Sequence, residues 1–324
     1  MSQPTRADVH VDAVLTNMAT RYVQSISAFI ASLVFPVVPV DKQSNKYRIW
    51  TKGDWFRDEA QLRPPATESV ASGYNMSTDS YMADVWALAK MVADQDRVNA
   101  DADVNLDRGA VDFVTQRLLL RREIQWVADF FTTGKWATDK AVASQWSDYA
   151  NSDPISDIEE GKAAILAATG FEPNKITVGN DVWRYLKNHP DIIDRLGMGG
   201  SSSETRVVTR QAVAAIFELE QVLVAKAVKA TSAEGATVAM GMVHGKHALL
   251  SYSPPSPSVE VPSAGYTFAW TGLNPGAGVA GVPGLAVSRF REDLKKADKI
   301  EAEMAWDNKV TGSDLGYFFS SVVA

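Results

Sequence analysis

Residues 171–190 read Phe171-Glu172-Pro173-Asn174-Lys175-Ile176-Thr177-Val178-Gly179-Asn180-Asp181-Val182-Trp183-Arg184-Tyr185-Leu186-Lys187-Asn188-His189-Pro190. Pro173-Asn174 is a turn pair, and Lys175 to Gly179 holds the β-branched trio of a short buried strand. Asn180 and Asp181 supply side-chain oxygens for the free N–H groups of a following helix, which presents Val182, Trp183 and Leu186. Pro190 stops that helix, because proline has no N–H to donate and its ring collides with the preceding turn.

Upstream, Asp107 to Gly134 reads as one long helix. Phe113, Leu120, Ile124, Val127 and Phe131 recur at steps of three, four and seven, Val114 and Leu118 widen the stripe, and Arg117 and Arg121 edge it. Asp107 or Asn105 can cap the start, and Gly134 suits a left-handed close. At ~1.5 Å per residue the span is roughly 40 Å, long enough to serve as a spine. Its acidic lead-in, with Asp101, Asp103, Asn105, Asp107 and Asp112, has the ligand spacing of a calcium loop. Leu106 replaces the turn glycine and Asp112 the bidentate glutamate, so the stretch reads as a solvated cap that complements the helix dipole.

Val11, Leu15, Met18, Tyr22, Ile26, Phe29 and Leu33 predict an amphipathic helix running to Phe35-Pro36. It either packs on its own domain or forms an arm on a neighbouring subunit. Ser44 to about Ser80 is polar and extended, with Trp50, Trp55 and Phe56 on pieces too long for a simple turn. Bare aromatics in water are costly, so a surface must cover them, and that cover can belong to another chain. Tyr81 to Met91 reads as a strand, with helix as the alternative. Further helices are expected from Asp153-Pro154 to Thr169-Gly170 and over Gln211 to Val222. Val238 to Tyr252 reads as two strands around Gly245. Residues 197–203 and 272–284 are glycine-rich loops. Ile300, Ala302, Met304 and Trp306 alternate with polar neighbours as a half-buried strand, expected to meet the spine helix. Gly316 to Phe319 leads to a final strand at Val322-Val323.

Composition excludes several function classes. The chain has 324 residues, no cysteine and 46% hydrophobic residues, enough for a substantial core without disulfides. Its 32 basic and 39 acidic residues leave a net charge of −7, the wrong sign for gripping phosphate backbones. No charged residue lies between Arg21 and Asp41, but Pro36, Pro39 and three serines break that run, which argues against a membrane span. Asp8 and Asp12 argue against a signal peptide. Gly241 to His247 imitates a phosphate loop one residue short, with His247 where Ser or Thr belongs. His244 and His247 fall on strand-like sequence, Asp94 and Asp96 sit in polar surroundings, and no nucleophile elbow occurs. No catalytic, cofactor or metal residue is therefore nominated.

The 171–190 string resembles the axial domain of tailed-bacteriophage major capsid proteins of the Hong Kong 97-like fold, at Pro173, Asn174, Ile176 to Val178, Trp183, Leu186, His189 and Pro190. The resemblance implies an α+β capsid fold. Its parts would be an N-terminal arm (1–43), an extended loop (44–80), a peripheral domain with the spine helix (81–165), an axial domain (166–284), peripheral return strands (285–308) and a C-terminal strand (309–324). It implies a non-enzymatic structural protein that self-assembles as pentamers and hexamers into an icosahedral shell enclosing phage DNA. Expected partners are further copies of the chain, a separate scaffolding protein, a portal, a decoration protein, and DNA held without sequence specificity. The expected location is the virion capsid, with assembly in the host cytoplasm. Tyr22, Phe29, Trp50, Trp55 and Phe56 are the candidate intersubunit contacts. The alternative is a soluble α+β enzyme or ligand-binding protein with an unrecognised site.

Overall fold

The computed structural model describes residues 24–100, 105–197, 208–257, 261–273 and 285–324. In chain order the elements are α1 (Ala31–Val34), β1 (Val37–Val40), β2 (Ser44–Trp50), α2 (Lys52–Trp55), β3 (Met76–Met82), β4 (Asp84–Ala93), α3 (Asp94–Asn99), α4 (Leu106–Phe130) and β5 (Thr138–Ala141). There follow α5 (Pro154–Thr169), β6 (Lys175–Gly179), α6 (Asn180–Leu186), α7 (Pro190–Gly197), α8 (Arg210–Ile216), β7 (Gln221–Ala225), β8 (Val228–Ala230) and β9 (Met240–Met242). The chain ends with β10 (Ala248–Ser251), β11 (Gly265–Trp270), β12 (Leu285–Glu292), β13 (Ala297–Val310) and β14 (Gly316–Ser320).

β13, 14 residues long, organises the first sheet. One edge pairs antiparallel with β4 from Ala297↔Ala93 to Trp306↔Asp84. The other edge takes β12 as far as Met304 and then β11 from Trp306 onward, and β1 adds in parallel to β11. The alternation read from Ile300 to Trp306 therefore marks the centre of a longer strand. α4 lies on this sheet. Val114, Leu118 and Leu119 join Ile300, Ala302, Met304 and Trp306 in one cluster, as the sequence led one to expect. Each Val, Leu, Ile or Met among them contributes about 1.5–3 kcal/mol when fully buried.

The apolar face of α4 differs from the expected one. Phe113 is 42% exposed, with Lys90 and Arg117 over its ring, whereas Ala110, Val114, Leu118, Leu119, Arg122, Glu123, Trp126 and Phe130 are buried. The helix is covered on two sides, by the sheet and by residues 28–35, so its dry surface is wider than one stripe. Asn105 caps the start by accepting from the Arg108 N–H. The end comes at Phe130 rather than Gly134, whose φ of 79° instead shapes the following turn. There the Trp136 indole N–H donates to the Phe130 carbonyl at 2.7 Å.

The second sheet has the order β5-β14-β10-β6-β7. β10 runs antiparallel to β6 and β14, while β7 and β5 are parallel to β6 and β14 respectively. β6 is buried along its whole length, as read from 171–190. Asn174 holds the turn before it: its side chain accepts the Ser253 N–H at 2.9 Å and donates to the Ser253 carbonyl at 2.8 Å. The cap before α6 uses no side chain, and Pro190 opens α7 as well as closing what precedes it. His189 is buried, with Nε2 3.0 Å from Ser152 Oγ and Nδ1 accepting the Asp191 N–H. α5 starts at its Asp153 cap and ends at Gly170 with φ 73°, as expected. It packs on this second sheet, so the expected division at 165/166 runs through a helix.

Three other expectations change. The helix expected over 11–33 falls outside the described residues up to 23. Beyond that it is a 3-10 turn, Ile26–Ala28, and the separate α1, because Glu123 takes the N–H groups of Ile30 and Ala31 at 3.0 Å each. α8 stops at Ile216; Glu218 turns left-handed at φ 55° and the chain enters β7. The final strand is Gly316–Ser320, and Val322 and Val323 are buried just beyond it.

Close approach makes Gly179 irreplaceable. A Cβ there would sit 2.1 Å from the Gly245 carbonyl oxygen, a backbone atom that cannot swing away. Gly179→Ala is expected to lower subunit stability by about 2 kcal/mol or more. Gly109→Ala, in open space on α4, should be neutral or stabilising by up to about 1 kcal/mol. Urea unfolding of unassembled subunits measures both.

Candidate functional site

Two places in the fold carry unusual physical chemistry: a wet aromatic surface and a buried group of ionisable side chains. The surface is the β2–β3 hairpin, paired from Ser44↔Met82 to Trp50↔Met76. Its base is anchored by Phe268, against which Tyr81 stacks at 4.5 Å and Tyr47 packs at 5.4 Å. Tyr47 donates its hydroxyl to Asp79 at 2.9 Å, and burial with that carboxylate raises the phenol pKa.

Beyond the paired strands, residues 51–75 project. α2 is held by Asp54, whose side chain accepts the Asn75 N–H at 2.8 Å, and Lys52 forms an ion pair with Asp314. Trp50, Trp55 and Tyr74 form an aromatic trio with ring centroids 5.3–6.1 Å apart. It stays open among the described residues: Trp55 is 61% exposed and Phe56 65%, with one edge of the Phe56 ring against Gly170. Leu62, Val70 and Met76 extend the exposed apolar surface. Of the candidate contacts, Trp50, Trp55 and Phe56 thus share one surface. Tyr22 lies outside the described residues. Phe29 is buried against Ala227 and Val243 of its own chain, because the break between the 3-10 turn and α1 points it inward; it is not an exposed contact in this structure. Tyr74 was missed by sequence reasoning. Only the strand register, which closes the loop through the Thr51 N–H to Asn75 carbonyl bond, brings it to the tryptophans.

The buried group is Arg122, Glu123 and His244. Glu123 accepts from Ile30 and Ala31, but burial dominates and pushes its pKa up to about 7. His244 Nε2 lies 3.3 Å from Glu123 Oε1 without hydrogen-bond alignment, and burial pulls its pKa down to about 3. Arg122 is buried beside them, its pKa lowered by the same desolvation. Trp126 and Phe131 flank the imidazole at 5.6 and 5.4 Å. Within this group it is Glu123 that fastens the segment around Ile30 to α4. At the other end of α4, Asp107 pairs with Arg97 at 2.7 Å, and Arg97 also reaches Asp298 at 2.6 Å. Of the described part of the acidic lead-in, Asp107 is engaged in ion pairs and Asn105 in the helix cap; residues 101–104 lie outside the described set. Among the described residues no cluster of three acidic, histidine or cysteine side chains could hold a metal, and no helix is long and apolar enough to cross a membrane.

The mixed framework thus presents a projecting hairpin whose aromatic side chains are exposed. Comparison with known proteins shows what the chain is similar to. Residues 121–240 match the family described as phage major capsid protein E. The chain is 27% identical to the major capsid protein of Burkholderia phage BcepMu over 96% of each chain. A phage-related protein from Bordetella bronchiseptica superposes with a TM-score of 0.67 at 25% identity, covering 96% of this chain and 97% of that one. The capsid protein of cyanophage P-SCSP1u shares the fold at TM-score 0.60 and 12% identity, covering 93% and 90%. The chain has the Hong Kong 97-like fold and resembles phage major capsid proteins along nearly its whole length.

Glu123 gives a pH signature. Its folded-state pKa is raised, so the stability it contributes is complete below about pH 4.5 and is lost as pH rises through about 7. Glu123→Gln removes that dependence. The stability of the natural chain relative to E123Q should fall by on the order of 3 kcal/mol between pH 4 and pH 8. Urea midpoints of both proteins across that range test it, and parallel profiles would show that the carboxyl titrates normally.

Proposed function

We propose that this chain is the repeating subunit of a phage capsid, a structural protein that assembles with its own copies into an icosahedral shell of pentamers and hexamers around packaged DNA. The observation that carries this reading is the β2–β3 hairpin, whose Trp50, Trp55, Phe56 and Tyr74 remain wet in the single chain. A neighbouring subunit beneath the hairpin would cover them, and each side chain so covered contributes about 1.5–3 kcal/mol. Contacts of this kind repeated around every subunit bury far more than a standard interface of about 1,600 Å².

The proposed division follows the fold. The hairpin is the intersubunit part, the β13 sheet with α4 is the peripheral layer, and the β6 sheet with α5, α6 and α8 is the axial layer. A net charge of −7 suits a wall that surrounds DNA without holding it to a sequence. A separate scaffolding protein, a portal and a decoration protein complete the proposed partners, with assembly in the host cytoplasm and a final place in the virion. The comparisons favour this structural role over an enzyme or small-molecule binding protein.

Electron microscopy of the co-expressed chain and scaffold tests it. Uniform shells are expected, and a persistent monomer would sink the reading. Trp55→Ser with Phe56→Ser should leave the unfolding midpoint of isolated subunits nearly unchanged, since both side chains are already in water, yet cut shell yield at least roughly ten-fold. Wild-type yield from this variant would remove the two residues from the interface.

A further inference from the structure

Where α4 runs beside β4, three cations lie against aromatic rings. Lys90 Nζ is 5.2 Å from the Phe113 ring centroid, and the Arg117 guanidinium carbon is 4.9 Å from it. One turn further along, the Arg121 guanidinium carbon is 4.1 Å from the Trp86 ring, which stacks on Trp306 at 5.8 Å. A ring face attracts a cation and restrains a long side chain that would otherwise be mobile. The three charges are thus placed in advance, and little rotamer freedom remains to be lost when something binds them.

They are also left without neutralisation. Among the described residues none of the three forms an ion pair, whereas Arg97, Arg289 and Arg291 at the end of the same sheet share Asp94, Asp107 and Asp298. Arg121 donates one N–H to Gln125 Oε1 at 3.1 Å, and its Nε has no acceptor. The neighbouring carboxylates of α4 are directed elsewhere. Asp112 stands about 140° around the helix from Arg117, and Asp129 is engaged by Gln125 and Asn308 at 3.0 and 2.9 Å. Lys90 and Arg117 are exposed and Phe113 is 42% exposed, so the row can be reached from solvent.

A partner for such a row must carry closely spaced negative charge. Arg117 and Arg121 are about 6 Å apart along the helix axis, and a DNA duplex carries one phosphate charge per about 1.7 Å of its own axis. A duplex backbone laid along the row meets the cations in any register, whereas an acidic protein segment would need carboxylates at matching positions. Guanidinium forks also suit phosphate, donating two parallel N–H bonds to its oxygens.

We propose that Lys90, Arg117 and Arg121 form a phosphate-binding row that holds the backbone of duplex DNA without reading its sequence. The proposal rests on the capsid reading, which supplies the DNA, and it assigns the contact to one side of α4 in a chain whose net charge of −7 gives no general affinity for nucleic acid.

Fluorescence anisotropy of a short labelled duplex with dilute unassembled subunits, taken across a salt series, tests it. With three phosphate contacts log K should fall with log salt at a slope of about −2.7, so a roughly four-fold rise in salt weakens binding about forty-fold. Arg117→Gln with Arg121→Gln leaves one contact, and the same rise should then weaken binding only about three- to four-fold. Lys135→Gln with Arg195→Gln removes equal charge from exposed positions on other elements and should keep the natural slope. Circular dichroism and urea midpoints establish that each protein is folded. Equal losses in the two double variants would overturn the proposal, as would an unchanged slope in R117Q/R121Q or no binding at low salt. Displacement of the duplex more readily by poly-glutamate than by unlabelled duplex would overturn it in favour of an acidic protein partner. Microscopy of the natural chain decides the capsid reading separately, so a missing shell and a missing DNA contact are told apart.

Discussion

The aromatic knot at the end of α4 is the contact on which the two sheets depend. Phe35 packs on Phe130 at 4.7 Å, Trp126 on Phe130 at 5.6 Å, and Phe131 meets Phe318 of β14 edge-on at 5.5 Å. One end of the spine helix thus touches residues leading into β1 of the first sheet and β14 of the second. Large rings suit this junction because each buries much area at little entropic cost, with pair geometry adding about 0.5–1.5 kcal/mol. Backbone makes room for them. A Cβ on Gly316 would overlap Trp136 at 2.1 Å and one on Gly265 would overlap Phe130 at 2.8 Å, so glycine at both positions lets strands pass directly beside the rings.

Around this knot the chain uses buried charges as fasteners for short helices. Lys175 Nζ donates to the carbonyls of Leu33 and Val34, both at 3.1 Å, satisfying the exit of α1. Glu123 satisfies the entry of the same helix. A helix of four residues has no interior hydrogen bonds to spare, so both ends need outside partners. Lys162 plays a similar part after α8, donating to the Phe217 carbonyl at 2.9 Å where the chain turns into β7. Desolvating these groups costs free energy that the direct bonds to backbone groups offset only in part, since burial still raises the Glu123 pKa and lowers that of Lys175. The result is a defined path for segments too short to specify one by periodicity.

That distinction explains how much was legible in the sequence. Long or strongly patterned elements were readable: α4, α5, the fully buried β6 and the alternating heart of β13 all follow from local spacing and caps. Elements set by distant partners were not. The expected stripe holds at Val114, Leu118 and Phe131 but not at Phe113, and it missed the second dry side that residues 28–35 give α4 at Glu123, Trp126 and Phe130. The continuous helix expected up to Phe35 is interrupted by Glu123, a residue some ninety positions away. The helix expected over Gln211 to Val222 ended early because Glu220 and Gln221 donate N–H bonds to the Asn174 carbonyl, starting β7. For the surface, Trp50, Trp55 and Phe56 stood out as aromatics on a polar loop, whereas Tyr74 needed the strand register. Buried Arg122 and Glu123 carry no local signal, since charged pairs on helices are ordinarily solvated.

Where the apolar surface stays wet follows from sheet topology. The two large sheets bury their inner faces on helices, so most of their hydrophobic residues find cover, with Val85, Met91 and Phe290 of the first sheet on its exposed side. Among the described residues, the two ribbons β2–β3 and β8–β9 cannot do the same: two strands have one neighbour each and no second layer. Both carry exposed apolar side chains, Trp50 and Met76 on one and Met240 and Met242 on the other. A framework that closes on itself while leaving its ribbons half-covered divides the free energy of folding from that of association. The subunit can then be stable before it meets a neighbour, and the ribbon surfaces remain available to determine what it joins.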